Sequence, residues 1–281
     1  MFEKFSRSWG LVKASGSVLM QDKQLLVFPL ISSIATILVG ACFILPMLGL
    51  GALDGLSDGA VDTGVYIVAF LFYTSQYFVI FFFNAALVGA AMKRMDGGSP
   101  TVRDGLNIAM SKVGSIFGYA LIAATVGMIL RAIQERVGFF GKIIVGLLGV
   151  GWTMATYLVV PVLVARDVGP VDAVKESAAL LKKTWGENVI GQAGLGSAFV
   201  LLTFGALLCG IALVIGAVFT KSVALTIIAA IIAIVAMVAL ALIHAALSGI
   251  YAAALYRYAV GEQATLGFDS AVLENAFAQK K

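Results

Sequence analysis

Six charge-free apolar blocks take up most of this chain, and each approaches or exceeds the length that crosses a bilayer. They are Gln24–Leu53, Thr63–Met92, Val113–Leu130, Ile143–Ala165, Asn188–Thr220 and Ser222–Tyr256. A membrane-spanning helix needs about 20 apolar residues at about 1.5 Å of rise each, so five blocks pass and Val113–Leu130 sits at the lower limit. The sequence is 61% hydrophobic and 12% charged, whereas roughly a quarter of residues are charged in soluble domains. Its mean hydropathy is +1.02, and there is too little polar surface to cover a soluble core. The expected fold is therefore an all-α polytopic membrane protein of six transmembrane helices. Residues 1–260 form a single integral membrane domain and 261–281 a short cytoplasmic tail. The soluble parts are too small for a separate enzyme domain.

The basic residues mark topology. Lys4, Arg7, Lys13 and Lys23 precede the first block, and Lys93, Arg94, Arg103 and Lys112 separate the second and third. Arg166, Lys175, Lys182 and Lys183 separate the fourth and fifth, and Arg257, Lys280 and Lys281 follow the last. The alternate connections carry only Arg131, Arg136, Lys142 and Lys221. The positive-inside rule then puts both termini in the cytoplasm and the chain in the cytoplasmic membrane. The acidic loop Gly51–Asp62 agrees with an external position. The net charge of +4 is dispersed rather than clustered, which argues against nucleic acid as a partner. Charged residues interrupt any signal-type apolar region at the N-terminus. Cys42 and Cys209 lie inside apolar blocks, so the pattern reads as two free thiols and not a disulfide framework.

Each pair of spans follows a short amphipathic segment. The stripes are Phe2, Phe5, Trp9, Val12, Gly16 and Leu19, then Val102, Leu106, Ala109, Val113 and Ile116, then Val171, Val174, Ala178, Leu181 and Trp185. Three- and four-residue steps make these helices, placed at the headgroup level on the cytoplasmic face. Thr101 with Asp104 approximates a capping box, and Pro170 suits a first helical turn. The chain thus reads as three hairpins, each led by an interfacial helix. The middle hairpin, 113–165, either spans fully or enters only partway, because its first block is short and its turn is basic. Pro29, Pro46 and Pro161 should kink or begin spans.

Chemistry-bearing residues are sparse inside the spans. His244 is the single histidine, and an ionisable residue in a span is a functional candidate. Gln76, Asn84 and Gln192 are amides in apolar surroundings, which glue helices together or line a polar path. These four form the candidate path. Ser197 and His244 would be a dyad only if their depths matched, and no oxyanion donor accompanies them. Neither a metal-ligand spacing nor a cofactor motif is present. The glycines of the third to fifth spans, among them Gly114, Gly118, Gly146 and Gly149, point to close helix crossings or to unwound stretches. Trp9, Lys13, Lys182, Lys183 and Trp185 are the candidate lipid and interface contacts.

Ser8-Trp9 with Asp22-Lys23 and Phe28-Pro29, Arg103-Asp104-Gly105-Leu106, Gly169-Pro170-Val171-Asp172-Ala173 and Thr184-Trp185-Gly186-Glu187-Asn188 resemble an uncharacterised bacterial and archaeal family of multi-pass membrane proteins, a domain of unknown function. That resemblance implies a six-span fold and no activity. The layout also looks broadly like the membrane domains that accompany some glycerophosphodiesterases, which is likeness of architecture alone. Two functions are expected: a non-enzymatic transport or channel component, or a scaffold that binds lipid or a partner through its interfacial helices. Membrane lipids, a second copy or another membrane protein are the expected partners.

Overall fold

The computed structural model describes residues 15–49, 63–183 and 185–261. Residues 15–21 are helical, and a short 3-10 helix at Lys23–Leu26 leads into α1 (Val27–Gly49). There follow α2 (Thr63–Met95), α3 (Val102–Ser111), α4 (Val113–Arg136), α5 (Phe139–Ala155) and α6 (Val159–Ala165). The last three are α7 (Pro170–Lys183), α8 (Trp185–Phe219) and α9 (Val223–Val260). Among the described residues there is no strand. Six stretches are long and apolar enough to cross a membrane: Lys23–Pro46, Gly64–Met95, Val113–Arg136, Phe139–Ala165, Phe199–Phe219 and Val223–Val260. The chain is an all-α polytopic membrane protein. Both helices of the middle pair have the length to span, because α4 continues past the apolar block through Arg131 to Arg136 and α5 with α6 acts as one broken span.

Local signals account for the boundaries. Thr101 accepts the Asp104 N–H at 3.2 Å, and the Asp104 carboxylate accepts the Thr101 N–H at 2.8 Å, so α3 opens on a reciprocal capping box. Pro170 begins α7, where a missing N–H costs nothing. α9 starts on Ser222 and stops at Gly261, whose φ of 82° is the left-handed conformation that ends helices. Its 38 residues reach roughly 57 Å at 1.5 Å per residue, well beyond a hydrocarbon core of about 30 Å. The excess enters the protein's own core.

That core sits at one end of the bundle. All seven residues from Ala85 to Ala91 in α2 are buried, so this part of the helix is covered on every side. Around it lie Phe28, Ala109, Leu158–Leu163, Ala173 and most of Ala246–Tyr256. Small residues permit the closeness: a methyl group added at Gly105 would meet the Phe28 ring and stand 2.7 Å from the Ala86 carbonyl oxygen. Ion pairs tie the same end together: Lys93–Asp104 at 3.1 Å, Lys112–Asp167 at 3.1 Å, Arg166–Glu176 at 3.0 Å and Arg257–Asp96 at 2.6 Å. Away from the core, α1, α5, α8 and α9 expose runs of Ile, Leu and Val, as lipid-facing helices do.

The amphipathic helices differ from expectation in what they cover. Val102, Leu106 and Ala109 of α3 pack on the protein core, as do Ala173 and Val174 of α7. An apolar stripe has the same spacing whether it meets lipid or protein, so the periodicity alone could not separate the two. Most of the first stripe, including Trp9, lies outside the described residues, as does the interface candidate Lys13.

Candidate functional site

Where α5 leaves the core, the bundle opens. α5 packs chiefly on α4 and α7, and its remaining face looks across a cleft of about 920 Å³ towards α2 and α9. From α5 come Gly146, Gly149, Trp152 and Thr153. The opposite walls are Tyr77, Phe81 and Asn84 of α2, Tyr119 and Ala123 of α4, and Ser248 and Gly249 of α9, with Pro29 and Ser32 of α1 at the edge. Glycine and alanine make the space. A side chain added at Gly146 or Gly149 would meet nothing within 4 Å, so these glycines border the cleft and are not at a close helix crossing. Gly118 does mark one, with Pro170 standing 2.8 Å from an added methyl.

The floor of the cleft is the break between α5 and α6. Pro161 has no N–H and its ring disfavours a helical carbonyl four residues back, at Tyr157. The chain accordingly leaves the helix at Thr156–Leu158. In a membrane the freed backbone groups need partners, and α7 supplies one. The Ser177 hydroxyl donates to the Ala155 carbonyl at 2.7 Å and accepts the Leu158 N–H at 3.1 Å, with Ser177 and Leu158 both fully buried. One hydroxyl thus bridges both sides of the break. Thr156 turns its side chain back to the Trp152 carbonyl at 2.8 Å. Phe81 stacks on Tyr119 with ring centroids 4.5 Å apart.

The lining is polar in places and uncharged throughout: no Asp, Glu, Lys, Arg or His borders the cleft among the described residues. Asn84, Ser248 and Ser32 all line it, and their side chains have no hydrogen-bond partner among the described residues. Asn84 offers two donors and an acceptor, and each serine offers one donor and two lone pairs.

Of the residues proposed for a polar path, Asn84 lines this cleft. Gln76 instead donates its Nε2 to the Thr36 carbonyl of α1 at 3.2 Å, and its Oε1 is buried without a partner. His244 lies against Phe199 across the α8–α9 contact, ring centroids 4.5 Å apart, and is not part of the lining. The side chains of Gln192, Ser197, Lys183 and Trp185 are outside the described residues; Lys182 is exposed at the end of α7. Tyr119, Thr156, Ser177 and Ser248 were not singled out by sequence reasoning. Pro161 signals the break, and a serine on the apolar side of α7 is the available hint of what holds it.

Comparison with curated proteins and with solved structures found no match. Residues 63–267 match the family of unknown function DUF6159, which takes in everything from α2 to beyond α9. The chain, with its broken fourth span and uncharged cleft, belongs to that family.

Proposed function

We propose that this protein is a transport-type component of the cytoplasmic membrane, with both termini in the cytoplasm, that holds an uncharged polar ligand in the cleft between α5, α2 and α9. The observation that carries this reading is the discontinuous span. Irregular backbone at membrane depth persists where it lines a cavity, and broken helices at the midplane are a recurrent means of binding and passing a substrate. Here the break at Thr156–Leu158 is in the wall of the cleft. Asn84 and Ser248, without a partner among the described residues, supply the polar contacts. Val102, Leu106 and Ala109 of α3 and Val174 and Leu181 of α7 are taken up in packing while Val171 stays exposed, which supports transport over a scaffold that docks through those helices.

Access from both sides of the membrane is the test. With Cys42 and Cys209 replaced by alanine, Thr153→Cys and Ser248→Cys variants are reconstituted and treated with a membrane-impermeant thiol reagent from each face in turn. The expected outcome is modification from both faces within one population of molecules. Modification from a single face, or from neither, overturns translocation.

A further inference from the structure

The chemistry of the cleft limits what can occupy it. Its walls belong to membrane-spanning helices, and two lining residues, Ile80 and Val150, are 41% and 55% exposed. On α5, Val150 continues an exposed run through Ile143, Ile144, Leu147 and Leu148. The mouth therefore meets acyl chains, and an occupant can enter sideways from the bilayer.

Charge narrows the class. A phosphate or carboxylate head would bring a negative charge into a lining that has no cation among the described residues to receive it, a desolvation cost of several kcal/mol. A wholly apolar occupant would leave the Asn84 amide unsatisfied, at a cost of about 1–3 kcal/mol. Hydroxyl groups suit both conditions, because each donates and accepts without charge. Tyr77, Phe81 and Trp152 add flat ring surfaces to the same walls. At about 920 Å³ the cleft is at the upper end of the roughly 300–1,000 Å³ range of small-ligand pockets, room for a ligand of drug size or somewhat more. That is a sugar-sized head with the upper part of its chains.

We infer that the ligand of this cleft is a membrane lipid with an uncharged, hydroxyl-rich head, the head lying against Asn84 and Ser248 and its chains leaving past Val150. The inference rests on the cleft being a binding site, and adds the identity of the ligand class and its route of entry.

Full-length protein is reconstituted in phosphatidylcholine vesicles that carry a trace of photoreactive monoglucosyl diacylglycerol or, separately, photoreactive phosphatidylglycerol. The expected result is labelling of peptides within 146–157 and 245–252 by the glycolipid probe. Excess unlabelled monoglucosyl diacylglycerol lowers it about tenfold by mass action, and excess phosphatidylglycerol does not. Gly149→Leu, which fills the cleft, removes the labelling. Gly151→Leu, on the same helix with equally open surroundings but outside the lining, leaves it intact. If Gly149→Leu does not fold, the competition decides alone. Equal labelling by both probes, or no labelling of these peptides, overturns the inference. Thiol access from both faces without glycolipid labelling refutes the ligand class and leaves translocation standing; labelling with access from one face does the reverse.

Discussion

Replacing Ser177 by alanine removes a single oxygen and two hydrogen bonds, and the structure sets the expected cost. The Leu158 N–H, on a fully buried residue, loses its acceptor, and the Ala155 carbonyl loses its donor. Neither can be rescued locally: the Val159 N–H that would normally reach Ala155 bonds to Thr156 instead. Hydrogen bonds between membrane helices average about 0.6 kcal/mol and reach about 1.7, because the dissociated helices find other partners. An orphaned buried backbone group costs about 1–3 kcal/mol. Two such groups place Ser177→Ala at about 2 kcal/mol of destabilisation. Equilibrium unfolding with SDS in mixed micelles measures it, with Trp152, one turn before the break, as a fluorescent reporter. Ser111→Ala is the control, since its exposed hydroxyl bonds only within α3 at 2.7 Å and should cost less than about 0.5 kcal/mol. Pro161→Ala restores the missing N–H, so Ser177→Ala should cost less in that background, with a coupling above about 0.5 kcal/mol. A Ser177→Ala variant within about 0.5 kcal/mol of the parent, or strict additivity with Pro161→Ala, would refute the account of the break.

Glycines of the core and of the cleft should respond oppositely to the same change. Gly105→Ala forces a methyl between the Phe28 ring and the Ala86 carbonyl and should cost about 1–3 kcal/mol, whereas Gly146→Ala, with open space around it, should gain up to about 1 kcal/mol from helix propensity; the same unfolding assay reads both. Hydrogen bonds from Thr101, and then Lys93, hold the Asp104 carboxyl at about 2, down from 3.8. Because the folded value is depressed, its stabilisation of α3 is complete above about pH 4 and is lost as pH falls towards 2. Protection of the first-turn amides of α3, taken relative to the intrinsic exchange rate at each pH, should fall over that window, and Asp104→Asn should remove that fall; the same loss of protection in Asp104→Asn would discard the cap as its source. Spin labels at exposed Phe140 and Phe219 should show a distance that changes when the cleft is occupied, while a pair at Met110 and Lys182 in the core end holds still. Equal shifts in both pairs would mean that the bundle moves as a whole.

The spans were legible because membrane insertion is decided by length and apolarity, and both are written along the chain. What surrounds a given residue was less so. Gln76 and Asn84 are equivalent in sequence, amides eight residues apart in one apolar run, yet one bonds to the backbone of α1 and the other borders the cleft. Gly105 and Gly149 both sit in helices, and only the fold decides that the first is pressed against Phe28 while the second faces open space. Hydroxyls were harder still. Serine and threonine can bond to their own helix, as Thr125 and Thr153 do at 2.8 and 2.9 Å, so the place of Ser177 on the apolar side of α7 hints at burial but does not name its partners, which lie in another helix. Pro161 announced an interruption, but its repair needed a residue 16 positions later on a different helix.

Burial also divides the broken span into two parts with different freedom. α6 is embedded, with Val159 to Leu163 almost wholly covered, and its two ends are tied to α7 by Ser177 and by the Arg166–Glu176 pair. α5 presents Ile143, Ile144, Leu147, Leu148 and Val150 outward and has the cleft on its inner side. Rotation about Thr156–Leu158 would therefore move α5 and alter the cleft, while the ion pairs Lys93–Asp104 and Arg257–Asp96 stay closed. Packed cores are bistable and not continuously deformable, so motion concentrates where packing is already interrupted. An unbroken helix from Phe139 to Ala165 would couple α5 rigidly to the core and remove that freedom. The proline and the serine thus have complementary effects: Pro161 creates the joint, and Ser177 holds it in place without closing the cleft beside it.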